Sequence, residues 1–263
     1  MLSTRCKTSL MLQPEAWIAS FLRDGYVQFP HLVTETIIEA AHRSILGDLA
    51  RNYDGSRVIE YNHQSWCPGL RRSPEILRLF ETKEVRSTAD RLLGKGRYKG
   101  DDFAQIAIRK SQGSERPCPP VAHIDGIPTP HNGVAGTDIW NFALLVGIFL
   151  TEVKAKYAGN FTVWPGTHLV LERYFRERGK IARSEGMPVV PLGEPKQLLA
   201  MPGDVVFCHY ELAHTAAANI SSDDRIAVFF RLWFNGTTTP EDAEQRWHNL
   251  THIWDGWQIA PVI

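Results

Sequence analysis

His123 and Asp125 are the first residues in the chain whose types and spacing suit metal chemistry. Residues i and i+2 of a β-strand project from the same face, so an imidazole and a carboxylate at this spacing can bind one ion. Alone the pair is a weak signal, since a histidine beside a turn-forming Asp-Gly also fits an ordinary surface turn. A metal site here therefore requires a third ligand from elsewhere in the chain.

The C-terminal third of the chain supplies candidates for that ligand. His209 ends one apolar run, and His214 begins the next extended segment after a short turn. Arg225 stands directly before the apolar residues 226–230. An arginine entering a core strand is costly to bury without a carboxylate, so a solvent-exposed strand edge or a structural ion pair is the plain alternative. Two histidines and one carboxylate leave three metal positions open, which suits Fe(II) oxygen chemistry.

Helices are predicted for the part of the chain before residue 95. The segment Pro14–Asp24 places its apolar residues on one face, and Gly25 supplies a stop. A second helix begins after Thr34, a third opens at Ser73-Pro74, and a fourth covers Lys83–Leu93.

After Gly100 the chain changes to short apolar runs separated by glycine and proline, which predicts a sandwich or barrel. Two longer stretches interrupt this pattern: Gly126–Thr137, an irregular segment and candidate lid, and Glu172–Glu185, which has room for a short helix. The predicted strands are Phe103–Arg109, Val121–Asp125, Phe142–Thr151, Phe161–Trp164, Val189–Leu192, Val205–His209 and Ile226–Phe234.

The chain carries no internal repeat and no Gly/Ser linker. We therefore predict a single domain over residues 1–263, in which residues 1–100 form mostly helical support and residues 101–240 form the β core. The helices need the sheet to cover their apolar faces.

The charge balance excludes some classes of partner. Lys+Arg and Asp+Glu number 29 each, which argues against a general nucleic-acid or polyanion binder. No apolar run approaches the ~18 residues of a membrane span. The four cysteines are scattered and predict a reducing, cytoplasmic location. The basic opening Met1–Leu12 fits a ragged terminus better than a targeting remnant. The oligomeric state does not follow from the sequence.

Four groups of residues, in order, resemble the phytanoyl-CoA dioxygenase-like family of Fe(II)/2-oxoglutarate oxygenases. Phe21–Pro30 resembles the start of the family, His123-x-Asp125 its metal motif, and Gly159–His168 its Gly-x-Leu-x-x-x-Pro-Gly-Ser-His signature. The C-terminal motif of the family is matched by Gly203-Asp204, His209, His214, Asn219, Ser221 and Arg225.

This resemblance implies a mainly β protein with N-terminal helices and a double-stranded β-helix core of the jelly-roll, cupin-like kind. It implies that His123, Asp125 and His214 bind Fe(II), and that Arg225 pairs with the distal carboxylate of 2-oxoglutarate. Two further residues are expected near that co-substrate: Thr162 as a hydrogen-bond donor and Gln105 as an orienting residue. Their alternative is an ordinary strand position.

The chain departs from the family at Ala216, where a hydroxyl often contacts the co-substrate two residues after the distal histidine. Related halogenases replace the metal carboxylate by a small residue, whereas Asp125 is present here, which points to oxidation without halide transfer. The Pro165–His168 turn and His209 are interpreted as structural.

The predicted function is therefore a dioxygenase that hydroxylates, or otherwise oxidises, a C–H bond of a small metabolite or natural-product intermediate. Succinate and CO2 are the expected co-products. Trp140, Asn141 and Tyr210 are possible substrate contacts, although packing or loop structure is the preferred interpretation of each. Two alternatives stay open: a non-catalytic β-helix binding module, and a metal-dependent cupin-type enzyme without 2-oxoglutarate.

Overall fold

The computed structural model describes residues 14–113, 116–127, 141–236 and 243–259. Five α-helices lie before residue 95 in the described part of the chain, and all but the short third one, whose Ile59 is 72% exposed, bury the apolar face that their periodicity predicts. They are α1 (Pro14–Asp24), α2 (Glu35–Asn52), α3 (Val58–His63), α4 (Pro74–Glu81) and α5 (Lys83–Leu93). Two more follow later in the chain, α6 (Thr167–Arg178) and α7 (Ala243–Thr251).

Nine strands, counted over the described residues, form two antiparallel sheets. The strands are β1 (Tyr26–Phe29), β2 (Tyr98–Lys99), β3 (Ala104–Arg109), β4 (Leu144–Phe149), β5 (Phe161–Val163), β6 (Lys196–Gln197), β7 (Val205–His209), β8 (His214–Ala216) and β9 (Arg225–Phe234). The larger sheet has the order β1-β7-β4-β9, and β9 also pairs with both β2 and β3. The smaller sheet has the order β6-β5-β8.

The helical layer and the larger sheet share one core. Phe80 of α4 packs against Phe230 of β9, with ring centroids 5.3 Å apart. Phe21 of α1 contacts Trp257 near the C-terminal end, at 5.6 Å. Gly25, which follows α1, has φ +78°, and a Cβ there would lie 2.6 Å from Nδ1 of His168. The N-terminal helices thus cover the sheet, as the sequence predicts, and the fold is a double-stranded β-helix with N-terminal helices.

Three predicted elements differ from the observed ones. Residues 189–192 form no strand, and Val189 is 97% exposed, because a short apolar run without a sheet neighbour has no partner for its backbone. The predicted strand Val121–Asp125 is reduced to one isolated bridge at His123. The helix expected within Glu172–Glu185 begins earlier, at Thr167, and ends at Arg178.

Some predictions fall partly or wholly outside the described residues: Met1–Leu12, most of Gly126–Thr137, and Trp140. No helix within the described ranges combines the length and apolar character that crossing a bilayer requires.

Candidate metal and co-substrate site

His123 and His214 face each other across an isolated antiparallel bridge between the loop after β3 and strand β8. Each backbone N–H donates to the other residue's carbonyl, at 3.0 and 2.8 Å. Their rings lie 4.7 Å apart between centroids. Asp125, two residues after His123, places Oδ1 at 3.7 Å from Nε2 of His123 and 3.9 Å from Nε2 of His214. The backbone therefore brings the three predicted ligands to one point.

Hydrogen bonding fixes the orientation of His214. Its Nδ1 lies 2.8 Å from the carbonyl oxygen of Leu212, and because a carbonyl only accepts, Nδ1 carries the proton. The lone pair of Nε2 then points toward Asp125. A metal-binding histidine commonly has its other ring nitrogen held in this way.

Asp125 is ionised in this environment. Burial on its own raises the pKa of its carboxyl, but the guanidinium of Arg231 and the imidazoles of His214 and His123 outweigh burial and leave that pKa well below its ordinary value. Two imidazole nitrogens and one carboxylate oxygen form the donor set that non-haem Fe(II) enzymes use. The residues present therefore fit a divalent transition metal.

Arg231, which sequence reasoning missed, holds the other oxygen of Asp125. Its Nε and Nη2 lie 2.9 and 2.7 Å from Oδ2, and its Nη1 donates to Oε1 of Gln105 at 2.8 Å. A signal was present in the sequence, because Arg225 and Arg231 are an even number of residues apart and so share one face of β9. Gln105 thus lies at the site, with its carbonyl oxygen turned to Arg231.

The metal-binding residues open onto a cavity of about 730 Å³. Apolar walls come from Leu145, Phe161 and Phe229, and the segment Cys118–Val121 lines the cavity next to His123. Asn62 and Trp66 line it from the helical layer. The space is of the size that small-molecule sites occupy in proteins.

Two neighbouring arginines line the same cavity. Arg225 of β9 and Arg109 of β3 are partners in the antiparallel register, so their side chains leave the sheet on one face. Arg225 is 2% exposed, donates from Nε to the carbonyl of Gly159 at 2.6 Å, and donates from Nη1 to that of Ala107 at 3.2 Å. Nη1 of Arg109 reaches Oδ1 of Asn62 at 3.1 Å.

Neither arginine has an acidic partner in the described part of the chain. Two other cations of this cavity form ion pairs, Lys110 with Asp224 and Arg231 with Asp125. Neither pair includes Arg109 or Arg225. Burial, with a smaller contribution from Arg109, lowers the pKa of Arg225 to about 9, and burial also lowers the pKa of Arg109. Arg225 is still a cation at neutral pH, and an anion is the partner that a buried guanidinium with a second, partly buried one beside it needs.

Thr162 does not line this cavity. It is fully buried, its hydroxyl donates to the carbonyl of Asn160 at 3.3 Å, and Phe161 occupies the cavity face of β5 instead. Side chains alternate along a strand, so a residue next to a cavity residue points the other way. Ala216 does line the cavity, and no hydroxyl is present at that position.

The other motif residues hold backbone in place. Nε2 of His209 donates to the carbonyl of Ile253 at 2.8 Å, and burial lowers the pKa of this imidazole well below its ordinary value, so His209 packs as a neutral ring. The hydroxyl of Thr167 donates to Trp164 and accepts from the N–H of Ala213. Nδ2 of Asn219 donates to the carbonyl of Arg109 at 2.7 Å. The structural interpretation of these residues is consistent with these contacts.

Asn141 and Tyr210 lie away from the metal-binding residues. Both line a separate small pocket, where Asn141 donates to the carbonyl of Arg246 and Tyr210 donates to that of Asn249. These contacts tie the sheet to α7 and are of the packing kind that the sequence favours for both residues.

Two further groups were not predicted. His248, His252 and Asp255 bring their ligand atoms within 4.8 Å of one another at the exposed end of α7. Glu211, in the turn before β8, is fully buried, and neither carboxyl oxygen has a hydrogen-bond partner among the described residues. Burial, with a contribution from Glu172, raises its pKa well above the ordinary value, which favours the protonated carboxyl.

Comparison with known proteins places this geometry in context. No curated protein matches the chain significantly. Among solved structures, the non-haem α-ketoglutarate-dependent epimerase SnoN from nogalamycin biosynthesis is 18% identical, with a TM-score of 0.55 over 83% of this chain and 80% of that one. HygX from Streptomyces hygroscopicus, solved with nickel and 2-oxoglutarate, is 17% identical, with a TM-score of 0.56 over 87% and 89%.

The carbocyclase SnoK, from the same nogalamycin biosynthesis, is 21% identical, with a TM-score of 0.50 over 86% of this chain and 85% of that one. At these identities the likeness concerns the fold. The family comparison reaches further, because the family described as phytanoyl-CoA dioxygenase matches residues 21–227, which include all three candidate metal ligands and Arg225. The chain therefore belongs to the phytanoyl-CoA dioxygenase family.

Proposed function

We propose that this protein is an Fe(II)- and 2-oxoglutarate-dependent dioxygenase that hydroxylates a C–H bond of a small molecule. One observation carries the proposal: a two-histidine, one-carboxylate cluster shares a cavity with two arginines that have no acidic partner in the described residues. A dicarboxylate that binds a metal at one end and a guanidinium at the other fits both features.

The cost of burying Arg225 supports a bound carboxylate. A buried cation without a counter-charge is unfavourable by several kcal/mol, and two backbone carbonyls offset only part of that. A planar guanidinium binds a carboxylate through two parallel hydrogen bonds. In this proposal Arg225 anchors the distal carboxylate of 2-oxoglutarate, and Arg109, its register partner on β3, lies beside it.

In the proposed mechanism His123, Asp125 and His214 hold the iron. With 2-oxoglutarate, the bound iron supplies the activation of dioxygen that oxidises a C–H bond, with succinate and CO2 as co-products. The residues of the chain bind the substrate and 2-oxoglutarate, orient them and exclude water. The apolar side chains of Leu145, Phe161 and Phe229 keep one side of the cavity dry.

Proteins that share this fold differ in outcome, since SnoN is an epimerase and SnoK is a carbocyclase. Positioning of the substrate decides between such outcomes, and hydroxylation needs neither a second reacting group on the substrate nor a separate hydrogen donor. Asp125 also occupies a metal position that a halide would need. We therefore propose hydroxylation, with a metabolite or natural-product intermediate as substrate.

The test is an anaerobic reconstitution with Fe(II) followed by 2-oxoglutarate, with succinate measured before and after oxygen is admitted. We expect a visible metal-to-ligand absorption when 2-oxoglutarate binds, and succinate that depends on both iron and oxygen. Metal binding without binding of 2-oxoglutarate would favour the cupin-type enzyme. Absence of both would favour the binding module.

A further inference from the structure

The two oxygens of Asp125 have different partners. Oδ1 faces the Nε2 atoms of His123 and His214, whereas Oδ2 accepts a hydrogen bond from Nε of Arg231 and lies 2.7 Å from Nη2 of the same guanidinium. A carboxylate with both oxygens free binds a metal through one oxygen or through both. An oxygen that already accepts a charge-assisted hydrogen bond and is held in a close ion pair with a guanidinium is a poor second ligand.

Gln105 holds Arg231 in this position. Its Oε1 accepts from Nη1 of Arg231 at 2.8 Å, so all three donor nitrogens of the guanidinium have partners at the site. β3 and β9 are paired, with Gln105 opposite Phe229, and Arg231 stands two residues beyond Phe229. The ring of Phe142 lies 5.6 Å below the guanidinium carbon and limits its movement from another side.

We propose that Arg231, fixed by Gln105, is a positioning residue that makes Asp125 a one-oxygen ligand and so keeps three metal positions open. The inference rests on the proposed function, because three open positions matter only when a two-atom chelator and dioxygen share one metal. A two-oxygen carboxylate would leave two positions for three incoming atoms.

This role also changes the interpretation of Gln105. The family resemblance suggests that Gln105 helps to orient 2-oxoglutarate, whereas in the structure its carbonyl oxygen accepts a hydrogen bond from Arg231. Gln105 then acts on the metal through Arg231. Its replacement should have no further effect once Arg231 is gone.

A double-mutant cycle with Mn(II) titration tests both steps without oxygen or turnover. The variants are Arg231→Met, Gln105→Leu and the combination, with Arg231→Lys to separate charge from shape and thermal unfolding to confirm that each variant folds. We expect Mn(II) affinity to fall about 10- to 100-fold in Arg231→Met and less in Gln105→Leu. The Mn(II) affinity of the combined variant should equal that of Arg231→Met.

The visible spectrum of the Co(II)-loaded protein reports coordination number and supplies the second measurement. We expect Arg231→Met and Arg231→Lys to change this spectrum alike, because a lysine restores the charge but offers no planar fork for Oδ2 and Gln105. A Lys variant identical to wild type in affinity and spectrum would overturn the inference, as would additive effects in the cycle. If Gln105→Leu alone is too weak to resolve, the Arg231→Lys comparison still decides.

Failure of the proposed function gives a different pattern. Wild-type protein that binds Mn(II) but not 2-oxoglutarate would remove the dioxygenase proposal while the cycle could still be measured. Wild-type protein that binds 2-oxoglutarate, with Arg231 variants unchanged in metal affinity and spectrum, would remove only the role of Arg231.

Discussion

The described part of the chain contains two clusters of two histidines and one aspartate, and only one of them has the surroundings of a functional site. In both, three ligand atoms lie within 4.8 Å of one another. His123 and His214 come from segments far apart in sequence and are joined backbone to backbone by a β-bridge. His248 and His252 are one helical turn apart at the exposed end of α7.

Residue type and distance are therefore not what separates the clusters. In the exposed cluster, Nε2 of His248 binds Asp255 at 2.6 Å, a contact that water and salt screen. In the buried cluster Asp125 is fixed by Arg231, His214 is fixed by a backbone carbonyl, and the ligands open onto a cavity with two arginines. The difference shows that the site is identified by the hydrogen bonds that fix the metal ligands and by the cavity onto which these ligands open.

The largest effect should come from removing one histidine from each cluster. We expect His214→Ala to lose Fe(II) binding at the site and iron-dependent succinate formation, because the remaining two ligands are too few to hold the metal. His252→Ala should leave both properties at the wild-type level. Iron content after dialysis and succinate yield measure them. Equal losses in the two variants would break the comparison.

The next effect concerns the cation across the cavity. We expect Arg225→Gln to weaken 2-oxoglutarate binding by about 2 to 5 kcal/mol, at least roughly thirty-fold, since a desolvated charge pair is truncated. Mn(II) affinity should change little, because Arg225 contacts carbonyls of Gly159 and Ala107 and not the metal ligands. Anaerobic titration with 2-oxoglutarate measures the loss. Pyruvate, which lacks the distal carboxylate, is the control and should bind both proteins alike.

The third prediction tests whether a charged partner or burial decides whether a buried carboxyl is ionised. Asp125 has Arg231 and is ionised, whereas Glu211 lacks a hydrogen-bond partner among the described residues and has a raised pKa. When a carboxyl has a higher pKa in the folded than in the unfolded protein, the free energy of unfolding is highest below the unfolded pKa of about 4.3. It falls as the pH rises from there toward the folded pKa, because only the unfolded state ionises in that range. We expect the free energy of unfolding of Glu211→Gln, relative to that of wild type, to rise by up to about 1.4 kcal/mol for each pH unit above about pH 4.3.

Denaturant unfolding at pH 5 and at pH 8 measures that change. Glu177→Gln, at an exposed position on α6, is the matched control. Its free energy of unfolding should differ from that of wild type by the same amount at both pH values. A constant difference between Glu211→Gln and wild type at the two pH values would show that Glu211 ionises freely, and burial alone would then not explain the protonation contrast.

Much of the fold and the metal site could be predicted from the sequence. Period-2 and period-3.6 patterns identify strands and helices whose apolar faces are buried, and β3, β7 and β9 appear close to their predicted bounds. The His-x-Asp pair and the distal histidine were recognisable because their order along the chain is characteristic. The approach of His123 to His214 depends on a bridge that no local pattern encodes.

The remaining parts depend on tertiary contacts. Val189–Leu192 has strand composition but lacks a sheet neighbour, so its pattern misled. Thr162 lies on β5, which borders the cavity, but its side chain points away from the cavity because the neighbouring Phe161 occupies the cavity face. The ion pair of Arg231 with Asp125 joins residues 106 positions apart, and only the folded sheet shows it.

The central position of β9 has a consequence for how the protein is made. β9 pairs with β2, β3 and β4, yet it is the last strand of the described chain. A growing polypeptide cannot complete the larger sheet until residues 225–234 have left the ribosome, and earlier strands expose unpaired edges meanwhile. His214 likewise emerges long after His123. The three candidate metal ligands can therefore meet only late in synthesis, and a nascent chain that stalls before β9 keeps strand edges unpaired and open to aggregation.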